Sequence, residues 1–189
     1  FNVSQHSIQI SNREFIIDDS IHQPCPILIH ALHADSNITS PFFAVTYSVS
    51  IVIIYRLDLS QWLSIVEKAR IILPSPVKTL LCHSQSVALT ICRDSIYQWS
   101  IFDGRILKVL PFSGVTDCFV DEITFSLFLT SGTEVIQTTF NGTIIRRFDV
   151  PLPSTAITVF GNGFSIKDRK IIVASASGVL TFLDFDEDS

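Results

Sequence analysis

Two histidines three residues apart, His30 and His33, raise the question of a shared metal ion, because short-spaced imidazole nitrogens are frequent ligands. Their neighbours Ile27, Leu28, Ile29, Ala31 and Leu32 read as a strand. Strand positions three apart face opposite sides, so ordinary rim histidines are expected. The four cysteines, Cys25, Cys82, Cys92 and Cys118, form no C-x-x-C pair and fit no zinc spacing. Cys82, Cys92 and Cys118 lie inside apolar runs and are expected to be small buried hydrophobes in a reducing compartment. The acidic stretch Asp184-Phe185-Asp186-Glu187-Asp188 lacks the glycine turn and twelfth-position glutamate of a calcium loop, and a solvated tail is expected. No Gly-x-Ser-x-Gly, P-loop or dinucleotide fingerprint occurs. Asn2, Asn37 and Asn141 begin N-x-Ser/Thr triplets, which matter only in a secreted protein. No catalytic, cofactor-binding or metal-binding residue is assigned.

The elements that would position such groups leave a strong mark on composition. Hydrophobic residues make up 47% of the 189 residues and charged residues 16%, with 15 phenylalanines, which argues against disorder and for strands. The net charge of -5, with no basic run longer than Arg146-Arg147, argues against nucleic acid as a partner. The uncharged stretch from Pro41 to Tyr55 is shorter than the roughly 20 residues a spanning helix needs. Two strands and a tight turn are expected there. The chain starts at Phe1 and holds no methionine, so a segment of a longer polypeptide is expected.

A repeat organises the chain. Asp103-Gly104 and Asn141-Gly142 each lie between apolar runs, 38 residues apart. Both dipeptides favour a hairpin turn of type I′, which requires positive φ at both central residues. A shift of 38 sets Val77 on Val115, Leu89 on Leu127, Phe102 on Phe140, Gly104 on Gly142 and Ile106 on Ile144. It also sets Arg93-Asp94 on Ser131-Gly132, and no gap is needed from Val77 to Val150.

Each unit reads as four strands. Those of the first are Val77–Cys82, Val87–Cys92, Ile96–Phe102 and Arg105–Phe112. Those of the second are Val115–Val120, Phe125–Thr130, Glu134–Phe140 and Thr143–Val150. Four strands per roughly 40 residues is the blade period of a β-propeller, whose stacked inner strands should be continuously apolar, as Ile51–Ile54 and Ile171–Ala174 are. A β-sandwich predicts no such recurrence. The expected fold is therefore all-β: a WD40-type propeller of about four blades plus a partial blade, cut from a ring of roughly six to eight. The divisions are 1–24 (end of a preceding blade), 25–74, 75–113, 114–152, and 153–189 (last blade and acidic tail). Within the second, Leu59, Trp62, Leu63, Val66 and Leu73 share helical spacing, with Ser60 as cap and Pro74 as stop, so a helical excursion is expected over 59–73.

The run from Val77 to Trp99 resembles a WD repeat, with Asp94 at the turn before the third strand and Trp99 near that strand's end. These two are the structural WD-motif residues that the resemblance implies. Trp99-Ser100 stands in place of Trp-Asp, and Ser75-Pro76 in place of the preceding Gly-His. More specifically, residues 70–185 resemble the C-terminal WD repeats of the BEACH proteins, the beige and neurobeachin family. The resemblance is carried by His83-Ser84-Gln85-Ser86 in the first turn, by Phe140–Ile145 followed by Thr155–Thr158, and by Lys170–Gly178.

The resemblance implies a large cytoplasmic scaffold without cofactors that acts in membrane or vesicle traffic. Its partners would be other proteins and the rest of its own chain, with peripheral membrane association through the parent protein. A hydrolase-type propeller, with Asp94, Asp117 and Asp121 meeting in a central channel, is the enzymatic alternative, and a secreted adhesion propeller is a third.

Overall fold

The computed structural model describes residues 2–3, 7–10, 13–16, 26–32, 42–47, 50–58, 64–84, 86–161 and 169–185. The chain divides into two compact units, Phe1–Thr90 with Tyr97–Val109, and Ile91–Ile96 with Leu110–Ser189. Every regular element among the described residues is a β-strand. Strands β1 (Asn2–Val3), β2 (Ser7–Ile10) and β3 (Arg13–Ile16) form one sheet. Strands β4 (Pro26–Leu32), β5 (Phe42–Tyr47), β6 (Ile51–Asp58) and β7 (Ser64–Ile72) form the second. The third holds β8 (Val77–Cys82), β9 (Val87–Cys92), β10 (Ile96–Ser100) and β11 (Ile106–Leu110). The fourth holds β12 (Asp117–Asp121), β13 (Ser126–Ser131), β14 (Glu134–Thr139) and β15 (Ile144–Asp149). The fifth has β16 (Ser154–Phe160), β17 (Lys170–Ser175) and β18 (Leu180–Asp184). Neighbours within each sheet are consecutive in sequence.

Burial follows strand position. The second strands of the three four-stranded sheets are buried without a break from Phe43 to Tyr47, Ala88 to Cys92 and Ser126 to Thr130, whereas in β17 only Ile171 and Val173 are buried. Burial on both faces removes the need for polar alternation, which is why these segments read as apolar runs. In the first unit, Phe43, Val45, Tyr47, Ile53, Tyr55 and Leu57 form one cluster. In the second, Phe128, Val135, Val150, Ile157, Ile171, Val173 and Phe185 form another. Each such side chain contributes about 1.5–3 kcal/mol on burial.

The helix expected over 59–73 is corrected: residues 64–72 are strand β7, antiparallel to β6 from Asp58↔Ser64 to Ile51↔Ile72. Residues 59–63 lie outside the described residues. The backbone amides and carbonyls of β6 need partners, and that requirement outweighs helical spacing on five apolar side chains. Burial near the end of β7 alternates, with Ile71 and Leu73 inside and Ile72 outside.

The turns also differ from type I′. Gly104 and Gly142 have φ of 69° and 85°, whereas the only described non-glycine residues with positive φ are Ser50 and Phe125. Asp103 and Asn141 therefore do not share the left-handed conformation. In the β14–β15 turn, Gly142 N–H donates to Thr139 O at 2.9 Å and Thr139 N–H to Thr143 O at 2.9 Å. That is a three-residue loop ending in a left-handed residue. In the β10–β11 turn, Gly104 N–H donates to Ser100 O at 2.9 Å and Arg105 N–H to Asp103 Oδ1 at 3.1 Å. Glycine is needed there for space as well as φ. A Cβ on Gly104 would lie 2.8 Å from Ala69 Cβ, and one on Gly142 would lie 3.1 Å from Leu110 Cδ2.

The gapless repeat is corrected in the same loops. The β8–β9 loop closes His83 onto Val87 (N–H to O, 2.9 Å), while β12–β13 pairs Asp121 with Ser126 and so is one residue longer. The β14–β15 loop is one residue shorter than the β10–β11 loop, which closes Ser100 onto Arg105. The two differences cancel, so the 38-residue spacing holds at Gly104 and Gly142. Between the first loop and the last of each unit it does not hold: Arg93-Asp94 matches Gly132-Thr133, and Leu89 matches Phe128.

Candidate protein-interaction surface

Among the residues singled out from sequence, Asp94 lies exposed in the two-residue β9–β10 turn, which Cys92 N–H closes onto Ser95 O at 3.0 Å. Trp99 is fully buried in β10, and its Nε1 has no hydrogen-bond partner among the described residues; nor has the buried Thr90 Oγ1 in β9. Among the described residues the Trp99 indole therefore takes no part in the side-chain network that a complete WD repeat would imply, and Asp94 lies at the surface. Cys92 and Cys118 are buried and Cys82 half-buried, and none of the three is in a disulfide; the Cys82 thiol donates to Ser84 O at 3.1 Å. Burial pushes the Cys118 thiol up, so it stays protonated. His30 lies in β4, opposite Ala44. Cys25, His33 and Asp186–Asp188 lie outside the described residues. Asp184 is not part of a solvated tail: it ends β18 and pairs with Lys170 across the ladder.

The second unit holds a polar lattice. Thr116 Oγ1 lies 2.8 Å from Thr130 Oγ1 and donates to Ser154 O at 3.0 Å, which links β13 to the start of β16. Asp117 Oδ2 accepts the Ile157 amide at 3.0 Å. At the other end of β12, Asp121 receives both guanidinium arms of Arg169, at 2.6 and 2.9 Å, with side chains only 3% and 4% exposed. The same carboxylate accepts the Ile123 amide at 3.3 Å and the Thr124 hydroxyl. Ser126 Oγ joins Thr124 at 2.6 Å and accepts Gln137 Nε2 at 3.2 Å. Arg169 also lies over the Phe185 ring at 5.1 Å. Burial pushes the Asp121 carboxyl up, but hydrogen bonds from Arg169 and Thr124, with the guanidinium charge, more than offset this and hold it below the usual carboxylate range. Two of the three aspartates considered for channel chemistry, Asp117 and Asp121, are thus engaged in holding neighbouring strands together. No group of three or more His, Cys, Asp or Glu side chains suited to a metal occurs among the described residues.

The lattice also shapes a projecting tip. Glu122, Ile123, Thr124 and Phe125 form the β12–β13 loop, with Asp121 bonded to the Ile123 amide and the Thr124 hydroxyl. Phe125 sits at φ 50° and is 76% exposed, an unusual conformation for a bulky side chain. Ile123 beside it is exposed too. Outer strands add further apolar surface: Ile106, Leu107 and Val109 of β11 in the first unit, and Ile144 and Ile145 of β15 in the second. The last sheet exposes Val179, Leu180 and Phe182. Neither Phe125 nor Arg169 carries a recognisable signal in sequence. Phe125 reads as the first residue of the strand Phe125–Thr130, and Arg169 is one charge among Lys167, Asp168 and Lys170.

No family model matches the chain, and no curated protein does either. Its fold is nevertheless shared with solved structures. The chain is similar to BBS1N, crystallised in complex with ARL6DN, at 14% identity and a TM-score of 0.67, covering 93% of this chain and 55% of that one. It is similar to the WD40 β-propeller domain of Doa1 at 13% identity and a TM-score of 0.59, covering 84% of this chain and 51% of that one. The computationally designed Ika4 protein matches at 14% identity and a TM-score of 0.59, over 82% of this chain and 88% of that one. The fold is thus an all-β propeller of the WD40 type. The chain spans about half the length of the BBS1N and Doa1 chains it matches.

Proposed function

We propose that this chain is a non-catalytic protein–protein interaction scaffold. The observation that carries the reading is the contrast between its carboxylates and its surface. Asp117 and Asp121 hold the fourth and fifth sheets together, while the tip at Phe125 and the outer strands present apolar side chains to solvent. An exposed aromatic in a strained conformation, in a loop held by the hydrogen bonds of Asp121, Thr124 and Ser126, is a good anchor for a partner's pocket. A similar propeller, BBS1N, was crystallised with a protein partner, which supports the same reading here. The finer reading is a module of a large BEACH-type WD-repeat protein, cytoplasmic and peripherally membrane-associated through its parent, acting in membrane or vesicle traffic. It rests on the resemblance at Val77–Trp99 and Phe140–Ile145.

The test is affinity capture from cytosolic and detergent-solubilised membrane extracts with the wild-type chain and with Phe125→Asp, whose folding is verified by urea denaturation. A partner retained by wild type and lost by the folded variant is expected. If wild type retains no specific partner from either extract, the scaffold reading is wrong. Imaging of the tagged parent protein tests the finer reading, which requires vesicle-associated signal.

A further inference from the structure

The β12–β13 loop is one residue longer than the β8–β9 loop, and the two close differently. The shorter loop is bonded within itself. Ser84 Oγ accepts the amides of Ser86 at 3.4 Å and Val87 at 3.2 Å, and the Cys82 thiol donates to Ser84 O. The longer loop turns its bonds onto Asp121, which is held by Arg169, the residue before β17 in the fifth sheet. Phe125, its last residue, takes φ of 50°.

The direction of each hydrogen bond follows from what its partner can do. An ionised carboxylate only accepts. Asp121 Oδ1 accepts the Ile123 amide at 3.3 Å and Arg169 Nη2 at 2.6 Å, while Oδ2 accepts Arg169 Nη1 at 2.9 Å and the Thr124 hydroxyl. With its proton given to Asp121, the Thr124 oxygen accepts from Ser126 Oγ at 2.6 Å, and Ser126 in turn accepts from Gln137 Nε2 at 3.2 Å. Gln137, Ser126 and Thr124 thus form a one-way chain of donors that ends on the carboxylate. Both guanidinium arms hold that carboxylate from the other side. Arg169 is itself seated over the Phe185 ring, which meets Phe128 edge-on.

Phe125 does not favour its own conformation. A left-handed backbone crowds the Cβ against the following carbonyl, and a ring that is 76% exposed gains little packing to offset this. The bonds on either side of it do offset it. Ile123 and Thr124 donate to a charged acceptor, which makes those bonds the strong kind, and Ser126 is tied to Thr124 across Phe125. A buried carboxylate that loses its guanidinium turns towards water, and these bonds go with it. We propose that Arg169 is the positioning residue of the β12–β13 tip: it holds the Asp121 carboxylate in the one orientation from which Ile123 and Thr124 keep Phe125 left-handed with its ring outward. A residue of the fifth sheet thereby sets a loop conformation in the fourth. The consequence for binding rests on the scaffold reading, with Phe125 as the anchor; the positioning itself does not.

The sign of φ at Phe125 is read by NMR on the full chain. Positive φ brings a residue's amide proton to about 2.3 Å from its own Hα, against about 2.8 Å at negative φ. The Phe125 intraresidue NOE should therefore be strong in wild type and about threefold weaker in Arg169→Met. It should weaken likewise in Thr124→Val, which keeps the ion pair and removes the hydroxyl. The Gly142 turn of the same sheet should keep its amide shifts in both variants. If Arg169→Met fails to fold, the double variant Asp121→Leu with Arg169→Leu buries no lone charge and should show the same loss. A wild-type NOE at Phe125 in folded Arg169→Met, in Thr124→Val or in that double variant overturns the assignment. Equal displacement at Gly142 overturns it too, because Arg169 then acts on the whole sheet. Affinity capture separates the two readings. Partners retained by a folded Arg169→Met whose NOE has weakened leave the positioning standing and remove Phe125 as the anchor. Partners lost with Phe125→Asp, while the NOE stays intact in Arg169→Met, leave the anchor standing and remove the positioning.

Discussion

In β10 the Trp99 indole is buried and its N–H has no partner among the described residues; in β14 the equivalent position, one residue before the closing pair of the turn, holds Thr138, whose hydroxyl donates to Thr143 O at 2.9 Å. The same contrast runs through both sheets. Where β9 begins with Val87, β13 begins with Ser126, bonded to Thr124 and Gln137. Where β8 leads into His83, β12 ends in Asp121, clamped by Arg169. The strand order is common to both sheets, but at these positions the β8–β11 sheet relies on packing around Trp99, whereas the β12–β15 sheet adds to its apolar core a hydrogen-bonded network linked to the next sheet. A repeat of turns and apolar runs sets the backbone path, and quite different side-chain chemistry then stabilises it.

The largest effect should come from breaking the clamp. Arg169→Ala leaves a buried carboxylate unpaired and should cost about 3–5 kcal/mol in urea denaturation. Trp99→Phe should cost less than about 1.5 kcal/mol, because it keeps most of the packing and loses no hydrogen bond. A Trp99→Phe cost equal to that of Arg169→Ala would erase the contrast between the sheets.

Next come the hairpin glycines. Gly104→Ala combines φ of 69° with a Cβ contact of 2.8 Å, and should cost roughly 2–4 kcal/mol. Gly178→Ala, at φ of 82° with open space around it, should cost only about 1–2 kcal/mol. Equal losses would mean that φ alone demands glycine.

Acid should separate the sheets as well. Because the folded Asp121 carboxyl titrates below its unfolded value, its contribution is full above about pH 4 and is lost as pH falls through the lower folded value. Asp121→Asn should therefore show a shallower loss of stability in that window than wild type, as read by denaturation at stepped pH. The smallest effect is a gain: Phe125→Asn relieves a strained backbone at little packing loss and should stabilise by about 0.5–1 kcal/mol.

Much of the fold was legible, because the signals were local. β8 and β9 run from Val77 and Val87 as their apolar runs indicate, β17 contains the apolar run Ile171–Ala174, and the glycines mark the turns. The misreadings came from forces that are not local. β7 carries helical spacing but is held extended by the edge of β6, and two loops of unequal length cancel in the sum, which hides their difference. The site was less legible. Arg169 and Asp121 are 48 residues apart, and nothing about either residue type or its neighbours marks a buried pair. Phe125 reads as one more strand residue until its φ is known.

A double-mutant cycle on the clamp tests the contrast most directly. Urea denaturation of wild type, Asp121→Leu, Arg169→Leu and the double variant gives four unfolding free energies. The single variants should each lose about 3–5 kcal/mol, and the double variant should lose clearly less than the two single losses together, because neither charge is then left buried alone. Losses that simply add, or single losses below about 1 kcal/mol, would show that the pair does not hold the fourth and fifth sheets together.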